Sequence, residues 1–260
     1  MSGPMGAGPT HDRALLLAGA KRDVVLELAE VERYGLDSYD DPDHVSIYGL
    51  RPAEWYAKGI RVLGRTAVEC TRDPLADAIG RDVGGLATLA PPGGGVTVVD
   101  LFAGSGNTLC WLLRHQPRAR GLGFELDDTV FALTRDNLAL LGLPIALEHV
   151  EYRGGLAALS PPADHLLVAF IAPPWGAALD PFAGLDLRGT TPPIAEIVDV
   201  LATRFVGRRL LCAIQVHEHT EPASLDEVTA RFDWSALRVY RLNAPGHDHG
   251  VVLGTCGWAP

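Results

Sequence analysis

The stretch Val96-Thr-Val-Val-Asp100-Leu-Phe-Ala-Gly104-Ser-Gly106-Asn-Thr108 joins an apolar run to a glycine-rich turn. Residues 96–99 are mostly β-branched, which favours a strand that is covered on both faces. The two glycines allow the backbone to turn tightly and to approach a ligand closely. A helix is predicted to begin near Asn107. A strand that ends in an acid and continues through a glycine turn into a helix is typical of a loop that holds a nucleotide-type cofactor.

A second acid, Glu125, follows the glycine turn at the end of the next apolar run. The dinucleotide fingerprint has a third glycine three residues after the second, and here that position is Leu109, which disfavours NAD and FAD. Glu125 ends the next apolar run, Gly121-Leu-Gly-Phe-Glu125. Its distance from the glycines is about that of a ribose-binding carboxylate. The pattern therefore indicates an adenosine-type ligand above the glycine turn, with Glu125 accepting hydrogen bonds from both ribose hydroxyls.

A third apolar run, Ala169-Phe-Ile-Ala-Pro173-Pro-Trp175-Gly176, is halted by two prolines. Proline cannot donate a hydrogen bond to a sheet ladder. The strand must therefore stop at the sheet edge, and Trp175 is predicted to project from the loop.

These three segments, in this order, resemble the class I methyltransferases that use S-adenosylmethionine. The resemblance covers residues 96–257 well and residues 50–90 loosely. The Pro-Pro-aromatic loop is similar to that of enzymes that methylate exocyclic or side-chain nitrogens. Its Trp-Gly form looks most like the trimethylguanosine synthase branch, which methylates the 2-amino group of capped guanosine. Ala172 departs from the pattern, because the family usually has Asp, Asn or Ser there to accept a hydrogen bond from the amine; backbone carbonyls near Ala172 and Pro173 remain for that role.

The expected fold class is α/β, with a seven-stranded, mostly parallel, Rossmann-like sheet, an antiparallel last strand and an N-terminal helical cap. Alternating elements after the Pro91–Gly95 linker signal support it. Strands are predicted at 96–100, 121–125, 145–150, 165–171, 209–217, 237–242 and 249–256. Helices are predicted near 13–34, 52–63, 73–79, 107–115, 128–141, 192–205 and 223–231. Three parts are expected: a disordered tail (1–12), a helical cap region (13–90) and the methyltransferase domain (91–260).

The resemblance implies a cofactor site, residue by residue. Asp100 accepts a hydrogen bond from the methionine ammonium, directly or through water, and the backbone of residues 102–106 cups the carboxylate and ribose. Glu151, or Glu148 after a small register error, contacts the adenine amino group, and Tyr152 or Leu126 flanks the ring. The candidate cofactor-binding residues are Asp100, Phe102, Ala103, Gly104, Gly106, Asn107, Thr108, Glu125, Leu126, Glu151 and Tyr152.

For the acceptor, Trp175 offers a flat face on which a planar ring would stack, or it simply covers the core. The loop after it is long enough for a lid. Trp55 and Tyr56 would form the opposite wall, or they pack the helical cap on the sheet. The candidate substrate-binding residues are Trp175, Asp180, Phe182, Trp55 and Tyr56. The candidate catalytic residues are Ala172, Pro173, Pro174, Trp175, His217 and His249.

Two histidine doublets, His217-Glu-His219 and His247-Asp-His249, follow the fifth predicted strand and open the seventh. Histidines two apart on a strand share a face. They would supply a general base for a hydroxyl or an acidic carbon, bind a divalent metal, or form a polar rim. No residue is assigned as a metal ligand.

Composition narrows the choice of partner. The chain has 260 residues and a net charge of −10, the wrong sign for gripping many phosphates, so RNA is possible but disfavoured. Four widely spaced cysteines carry no zinc or redox spacing. The short apolar run 14–20 is no signal or membrane segment, so a cytoplasmic protein is expected.

The expected activity is methyl transfer from S-adenosylmethionine to an amino nitrogen on a planar nucleobase-like or small heteroaromatic acceptor. One alternative is a small-molecule oxygen or carbon methyltransferase that uses His217, His219, His247 or His249 as base or metal site. Another is a cofactor-binding partner subunit without catalysis.

Overall fold

The computed structural model describes residues 12–180, 182–242 and 248–260. The predicted disordered tail lies outside the described residues except for Asp12, and His247 lies outside them as well.

Strands and helices alternate from residue 95 onward. The strands are β1 (Gly95–Asp100), β2 (Arg120–Glu125), β3 (Ile145–His149), β4 (His165–Ile171), β5 (Leu179–Asp180), β6 (Gly184–Leu185), β7 (Leu210–His217), β8 (Trp234–Tyr240) and β9 (His249–Cys256). The helices are α1 (Arg13–Leu17), α2 (Leu28–Tyr39), α3 (Pro52–Ala57), α4 (Gly64–Glu69), α5 (Asp73–Ala87), α6 (Asn107–His115), α7 (Asp128–Leu140), α8 (Tyr152–Ala158), α9 (Ile194–Arg204) and α10 (Pro222–Thr229).

Seven strands form one sheet in the order β3-β2-β1-β4-β7-β9-β8. Neighbouring strands from β3 to β7 run parallel, and β9 runs antiparallel to both β7 and β8. The predicted fold class is confirmed, because the sheet is mostly parallel and its last strand is antiparallel. The strand order reverses between β1 and β4, and ligands of open α/β sheets bind at such a point, beyond the carboxyl ends of the strands.

Apolar side chains cover both faces of the sheet. On one face α5 and α6 pack Ile79, Val83 and Leu112 against β-strand residues such as Val98 and Val168. The opposite face is covered by α8, α9 and α10. The central strands β1, β4, β7 and β9 are therefore largely buried, which is why they read as continuous apolar runs.

One helix after residue 95, α8, was missing from the sequence prediction. Helix α8 contains Gly154 and Gly155, which are poor helix formers. Gly155 is needed for packing, since a Cβ there would lie 2.6 Å from the ring of Phe124. Close contact between helix and sheet thus overrides the local propensity.

The predicted single helix over residues 13–34 is wrong. The chain leaves the helix after Leu17, forms a bridge between Val25 and Leu63, and starts α2 at Leu28. Glu27 and Glu30 form a capping box that fixes this new start. Val24 and Val25, which produced the helical spacing, are each more than 40% exposed.

The other N-terminal predictions are corrected as well. The helix predicted over 52–63 ends at Ala57, near Gly59, which has a φ of +88°. The helix predicted over 73–79 continues to Ala87. Helices α2 to α4 share an apolar core that also takes in Cys110 of α6 and Leu138 of α7. No helix within the described ranges is long and apolar enough to cross a membrane.

Candidate functional site

The glycine turn lies between β1 and α6 and has the backbone that glycine permits. Gly104 and Gly106 have φ values of +50° and +72°, in the left-handed region. The turn is pinned by Ala103, whose N–H donates to the carbonyl of Phe124 (2.8 Å), and by Thr134, whose hydroxyl donates to the carbonyl of Gly104 (2.6 Å). A Cβ on Gly104 would meet only the carbonyl of Phe102 at 3.9 Å. The turn therefore has open space above it, as a ligand-binding turn requires.

Asp100 ends β1 and is only 1% exposed. The N–H of Phe102 donates to its Oδ1 (3.1 Å). Burial, together with the nearby Glu125 carboxylate, raises the pKa of Asp100 to about 7. A buried carboxylate with so high a pKa favours a cation beside it, because a positive group would compensate the lost solvation.

Glu125 ends β2, the neighbouring strand, and faces the same turn. Its Oε2 accepts a hydrogen bond from the N–H of Gly104 (2.9 Å), and its Oε1 accepts one from the N–H of Asp127 (2.8 Å). Two backbone donors thus orient the carboxylate at the edge where β1 and β2 end.

The residues predicted to hold the adenine ring differ in exposure, and one of them is buried in the core. Leu126 is 65% exposed, so the side chain of Leu126 is free to flank a ring. Its backbone carbonyl lies 2.9 Å from Nε2 of His149. Glu151 caps α8 and accepts a hydrogen bond from the N–H of Arg153 (2.9 Å). Tyr152 is a correction: its ring is 4% exposed and packs on Phe102 in the core, so it offers no free face.

The sequence prediction missed an N-terminal segment whose hydrogen bonds hold the glycine turn in place. Tyr48, which has a φ of +59°, donates from its hydroxyl to the carbonyl of Ser105 and from its N–H to Oδ1 of Asn107 (2.6 Å). The Nδ2 of Asn107 donates to the carbonyl of Thr71 (2.8 Å) and to Oδ1 of Asp73 (3.1 Å).

These contacts correct the role of Asn107, whose side chain holds the turn instead of facing a cofactor. Thr108 is buried as well. No motif marks Tyr48, because its partners are more than fifty residues away in the chain.

The acceptor loop follows β4. Pro173 is buried, Ala172 is half-buried, and Pro174 is exposed. Trp175 is half-buried, and the chain then turns at Gly176, which has a φ of +50°.

A ring cluster forms around Trp175. The centroid of His249 lies 5.1 Å from that of Trp175, and His217 meets the same ring edge-on at 6.1 Å. His217 and His249 are cross-strand partners on β7 and β9, and His219 lies 5.7 Å from His217. The structure thus brings Trp175, His217, His219 and His249 together.

The surroundings of His249 favour its neutral form. Burial, with smaller effects from His217 and Arg72, lowers the pKa of His249 to about 4. The Nε2 amide of Gln215 lies 3.0 Å from its Nδ1. Gln215, 6% exposed in the middle of β7, is a second residue that the sequence prediction missed. A polar amide inside an apolar strand is the signal that would have revealed it, since such groups are hydrogen-bonded when buried.

The remaining predicted acceptor contacts lie apart from this cluster. Trp55 is 0% exposed and donates from its indole to the carbonyl of Val45 (2.9 Å), so the prediction that it forms a wall of the acceptor site is wrong. Tyr56 donates to Glu27 and lies under the guanidinium of Arg61. Both aromatic side chains pack in or against the N-terminal apolar core.

The loop predicted to form a lid contains the β5–β6 hairpin. Oδ1 of Asp180 accepts hydrogen bonds from the N–H groups of Phe182 (2.7 Å) and Ala183 (2.8 Å), which holds the tip. Phe182 is 98% exposed. The base of the hairpin is tied to the end of β7, because the N–H of Leu185 donates to the carbonyl of His219 (2.8 Å).

Within the described part of the chain, no group of three or more His, Cys, Asp or Glu side chains is arranged to hold a metal ion.

Comparison with known proteins rests on structure alone, since no family model and no curated protein matches the chain. The methyltransferase domain of METTL16 superimposes with a TM-score of 0.52 in one crystal form and 0.51 in another. The identities are 14% and 13%, and each alignment covers 74% of this chain and 72% of that domain. The precorrin-6y C5,15-methyltransferase of Geobacter metallireducens aligns with a TM-score of 0.48 at 14% identity, over 73% of this chain and 91% of its own.

The chain has the class I methyltransferase fold. In this methyltransferase fold the predicted acids Asp100 and Glu125 end adjacent strands beside an open glycine turn. Trp175 follows β4, His217 ends β7 and His249 begins β9 at the same edge of the sheet.

Proposed function

We propose that the chain is a methyltransferase that uses S-adenosylmethionine. The observation that carries the proposal is the buried Asp100, whose pKa is raised to about 7, beside the open turn at Gly104. S-adenosylmethionine carries an ammonium and a sulfonium, so it would supply the positive charge that this carboxylate favours. When bound, it supplies a methyl group on a positively charged sulfur, which is open to attack by a nucleophile.

The residues present fit this cofactor. Asp100 would accept hydrogen bonds from the ammonium, and Glu125 would accept them from the ribose hydroxyls. The open side of Gly104 would admit the methionine part, and Leu126 would cover one face of the adenine. Glu151, which follows β3 and caps α8, would approach the adenine amino group.

For the acceptor we propose a planar amine, nucleobase-like or a small heteroaromatic ring. Trp175 supplies an aromatic surface, and stacking of a base on such a ring contributes about 1–3 kcal/mol. A neutral amine attacks through its own lone pair and loses its proton after transfer, so it needs no strong base. The lowered pKa of His249, with its Nδ1 beside the Gln215 amide, supports an acceptor of this kind over a hydroxyl that must be deprotonated.

Two arginines, Arg204 at the end of α9 and Arg209 just before β7, support a small or nucleoside-sized acceptor. Arg204 donates to the carbonyl of Leu159 (2.9 Å), and Arg209 donates to the carbonyls of Pro91 and Asp164. Asp164 precedes β4, so the Arg209 contacts lie at the sheet edge opposite the glycine turn. These guanidinium groups are occupied away from the site, which agrees with the net charge of −10 in disfavouring a long phosphate chain.

Calorimetric titration with S-adenosylmethionine and S-adenosylhomocysteine tests the cofactor. We expect micromolar binding by the wild type and a loss of roughly 10- to 100-fold in Asp100→Asn and in Glu125→Gln, which each remove a charge-assisted contact. Asp136→Asn is the matched control, because Asp136 is an exposed acid on α7. Absence of binding by the wild type, or equal losses in all three variants, would overturn the proposal.

Transfer of a labelled methyl group to a panel of planar amines, phenols and acidic carbons tests the acceptor. We expect label on the amines, with the loss of transfer in Trp175→Ala. His249→Gln removes a possible base but keeps an N–H donor, so we expect it to retain transfer. Labelling of phenols alone, abolished by His249→Gln, would instead support an oxygen methyltransferase. Binding of the cofactor with no transfer to any acceptor would favour the non-catalytic partner subunit.

A further inference from the structure

We infer that Thr71 and Gln215 are positioning residues that hold His249 as a neutral hydrogen-bond donor beside Trp175 and connect it to the cofactor turn. This inference rests on the proposed function for the identity of the two subsites. The contacts themselves belong to the fold.

Thr71 contacts both sides of the site. It lies between α4 and α5 and is 8% exposed. Its carbonyl accepts the hydrogen bond from Nδ2 of Asn107, the first residue of α6 after the glycine turn (2.8 Å). Its hydroxyl donates to Oε1 of Gln215 on β7 (2.8 Å). One buried residue therefore joins the loop that would hold the cofactor to the strand that would face the acceptor.

Gln215 determines which nitrogen of His249 carries the proton. The Oε1 of Gln215 accepts the hydrogen bond from the hydroxyl of Thr71, and in this orientation of the amide its nitrogen faces His249, at 3.0 Å from Nδ1. An amide nitrogen can only donate. The Nδ1 of His249 must therefore accept, and in the neutral ring the proton is on Nε2.

The position of His249 gives this proton a use. His249 pairs with His217 across β7 and β9, and its ring lies 5.1 Å from Trp175. Burial keeps the ring neutral, since its pKa is lowered to about 4. A fixed, neutral Nε2–H favours a planar acceptor that carries a lone pair, such as a carbonyl oxygen or an unprotonated ring nitrogen. It disfavours a ring that arrives with a positive charge or with an N–H at that point.

Thr71 offers a matched pair of variants. Thr71→Ser keeps the hydroxyl, Thr71→Val keeps the shape without it, and both keep the carbonyl that binds Asn107. Nitrogen-15 NMR of the histidine rings distinguishes protonated from unprotonated ring nitrogens, with the signals of His249 assigned by their loss in His249→Gln. We expect the Nε2–H tautomer between pH 5 and pH 8 in the wild type and in Thr71→Ser. In Thr71→Val we expect at least a tenth of the Nδ1–H tautomer, because the amide of Gln215 can rotate when Oε1 loses its donor.

Gln215→Glu is an independent variant. A carboxylate accepts from Nδ1–H, so we expect the proton of His249 to move to Nδ1 and the pKa of His249 to rise by at least two units. A wild type with the proton on Nδ1, a Thr71→Val identical to the wild type, or an unchanged titration in Gln215→Glu would each overturn the inference.

The same samples test the link between the two subsites. On addition of S-adenosylhomocysteine we expect the His249 signals to shift in the wild type and in Thr71→Ser, and to shift by less than half as much in Thr71→Val. An equal shift in all three proteins would refute the link through Thr71. If S-adenosylhomocysteine binds to none of them, the proposed function fails, while the tautomer measurements still decide the roles of Thr71 and Gln215.

Discussion

Replacing Asp100 with asparagine is expected to stabilise the protein and to weaken the cofactor site. The side chain is 1% exposed, and its pKa is raised from the ordinary 3.8 to about 7. Asparagine has nearly the same shape and keeps an oxygen for the N–H of Phe102. The variant therefore removes a buried charge with little change in packing.

The magnitude follows from proton linkage. Between pH 3.8 and pH 7 the folded protein keeps a proton on Asp100 that the unfolded chain has lost, so the free energy of unfolding falls as the pH rises. Each pH unit in this window lowers it by up to about 1.4 kcal/mol, which amounts to at most about 4 kcal/mol at pH 7 and above. Asp100→Asn lacks this penalty. We expect it to exceed the wild type by about 4 kcal/mol at pH 8 and by only about 1–2 kcal/mol at pH 5.

Urea unfolding of both proteins at pH 5 and pH 8, without cofactor, measures the difference. Asp136→Asn, which changes an exposed carboxylate, should stay within about 0.5 kcal/mol of the wild type at both pH values. The reasoning is refuted if Asp100→Asn is no more stable than the wild type at pH 8, or if its advantage does not grow between pH 5 and pH 8. Saturating S-adenosylhomocysteine should reduce the advantage of Asp100→Asn at pH 8 by about 1.4–2.7 kcal/mol, the equivalent of a 10- to 100-fold difference in affinity, because only the wild type gains the charge-assisted contact.

Other predictions follow from the turn and its supports. Gly104→Ala and Gly142→Ala both place a Cβ in left-handed backbone with no atom closer than 3.9 Å. Each variant should therefore lose about 1 kcal/mol of stability in thermal unfolding. Only Gly104→Ala should weaken S-adenosylhomocysteine binding in calorimetry. Tyr48→Phe removes the hydroxyl that holds the carbonyl of Ser105 and should cost about 1 kcal/mol in urea unfolding, with weaker cofactor binding. Trp175→Phe should keep measurable methyl transfer and Trp175→Ala should lose it, whereas both should bind S-adenosylhomocysteine like the wild type.

Most elements from residue 95 onward were predictable because their signals are local. Strands covered on both faces read as apolar runs, and each run ends where an acid, a glycine or a proline makes further pairing unfavourable. Asp100 and Glu125 were found for this reason, since a strand end and a glycine turn are visible within a few residues. The positions of Trp175, His217 and His249 followed from the strand order implied by the family resemblance.

The supports of the site were not predictable in this way. The hydrogen bond from Thr71 to Gln215 joins residues 144 positions apart, and neither residue belongs to a motif. Trp55 shows the converse error, because an aromatic side chain on a short helix reads the same whether it lines a cleft or fills a core. The false helix over residues 13–34 arose from apolar spacing alone, which carries no information on the capping box at Glu27 and Glu30 that starts a new helix.

Asp100 and His249 have opposite electrostatic roles in the site. Burial makes Asp100 costly to ionise, so the folded chain without cofactor is less stable than it could be near neutral pH. The same cost makes a positively charged ligand more favourable, since binding removes an unpaired buried charge. His249 avoids such a cost by staying neutral and donating from one fixed nitrogen. The site therefore has one acid that favours a nearby cation and one imidazole that is costly to protonate. Such a site suits a cationic methyl donor and a neutral acceptor, and it suits a cationic acceptor poorly.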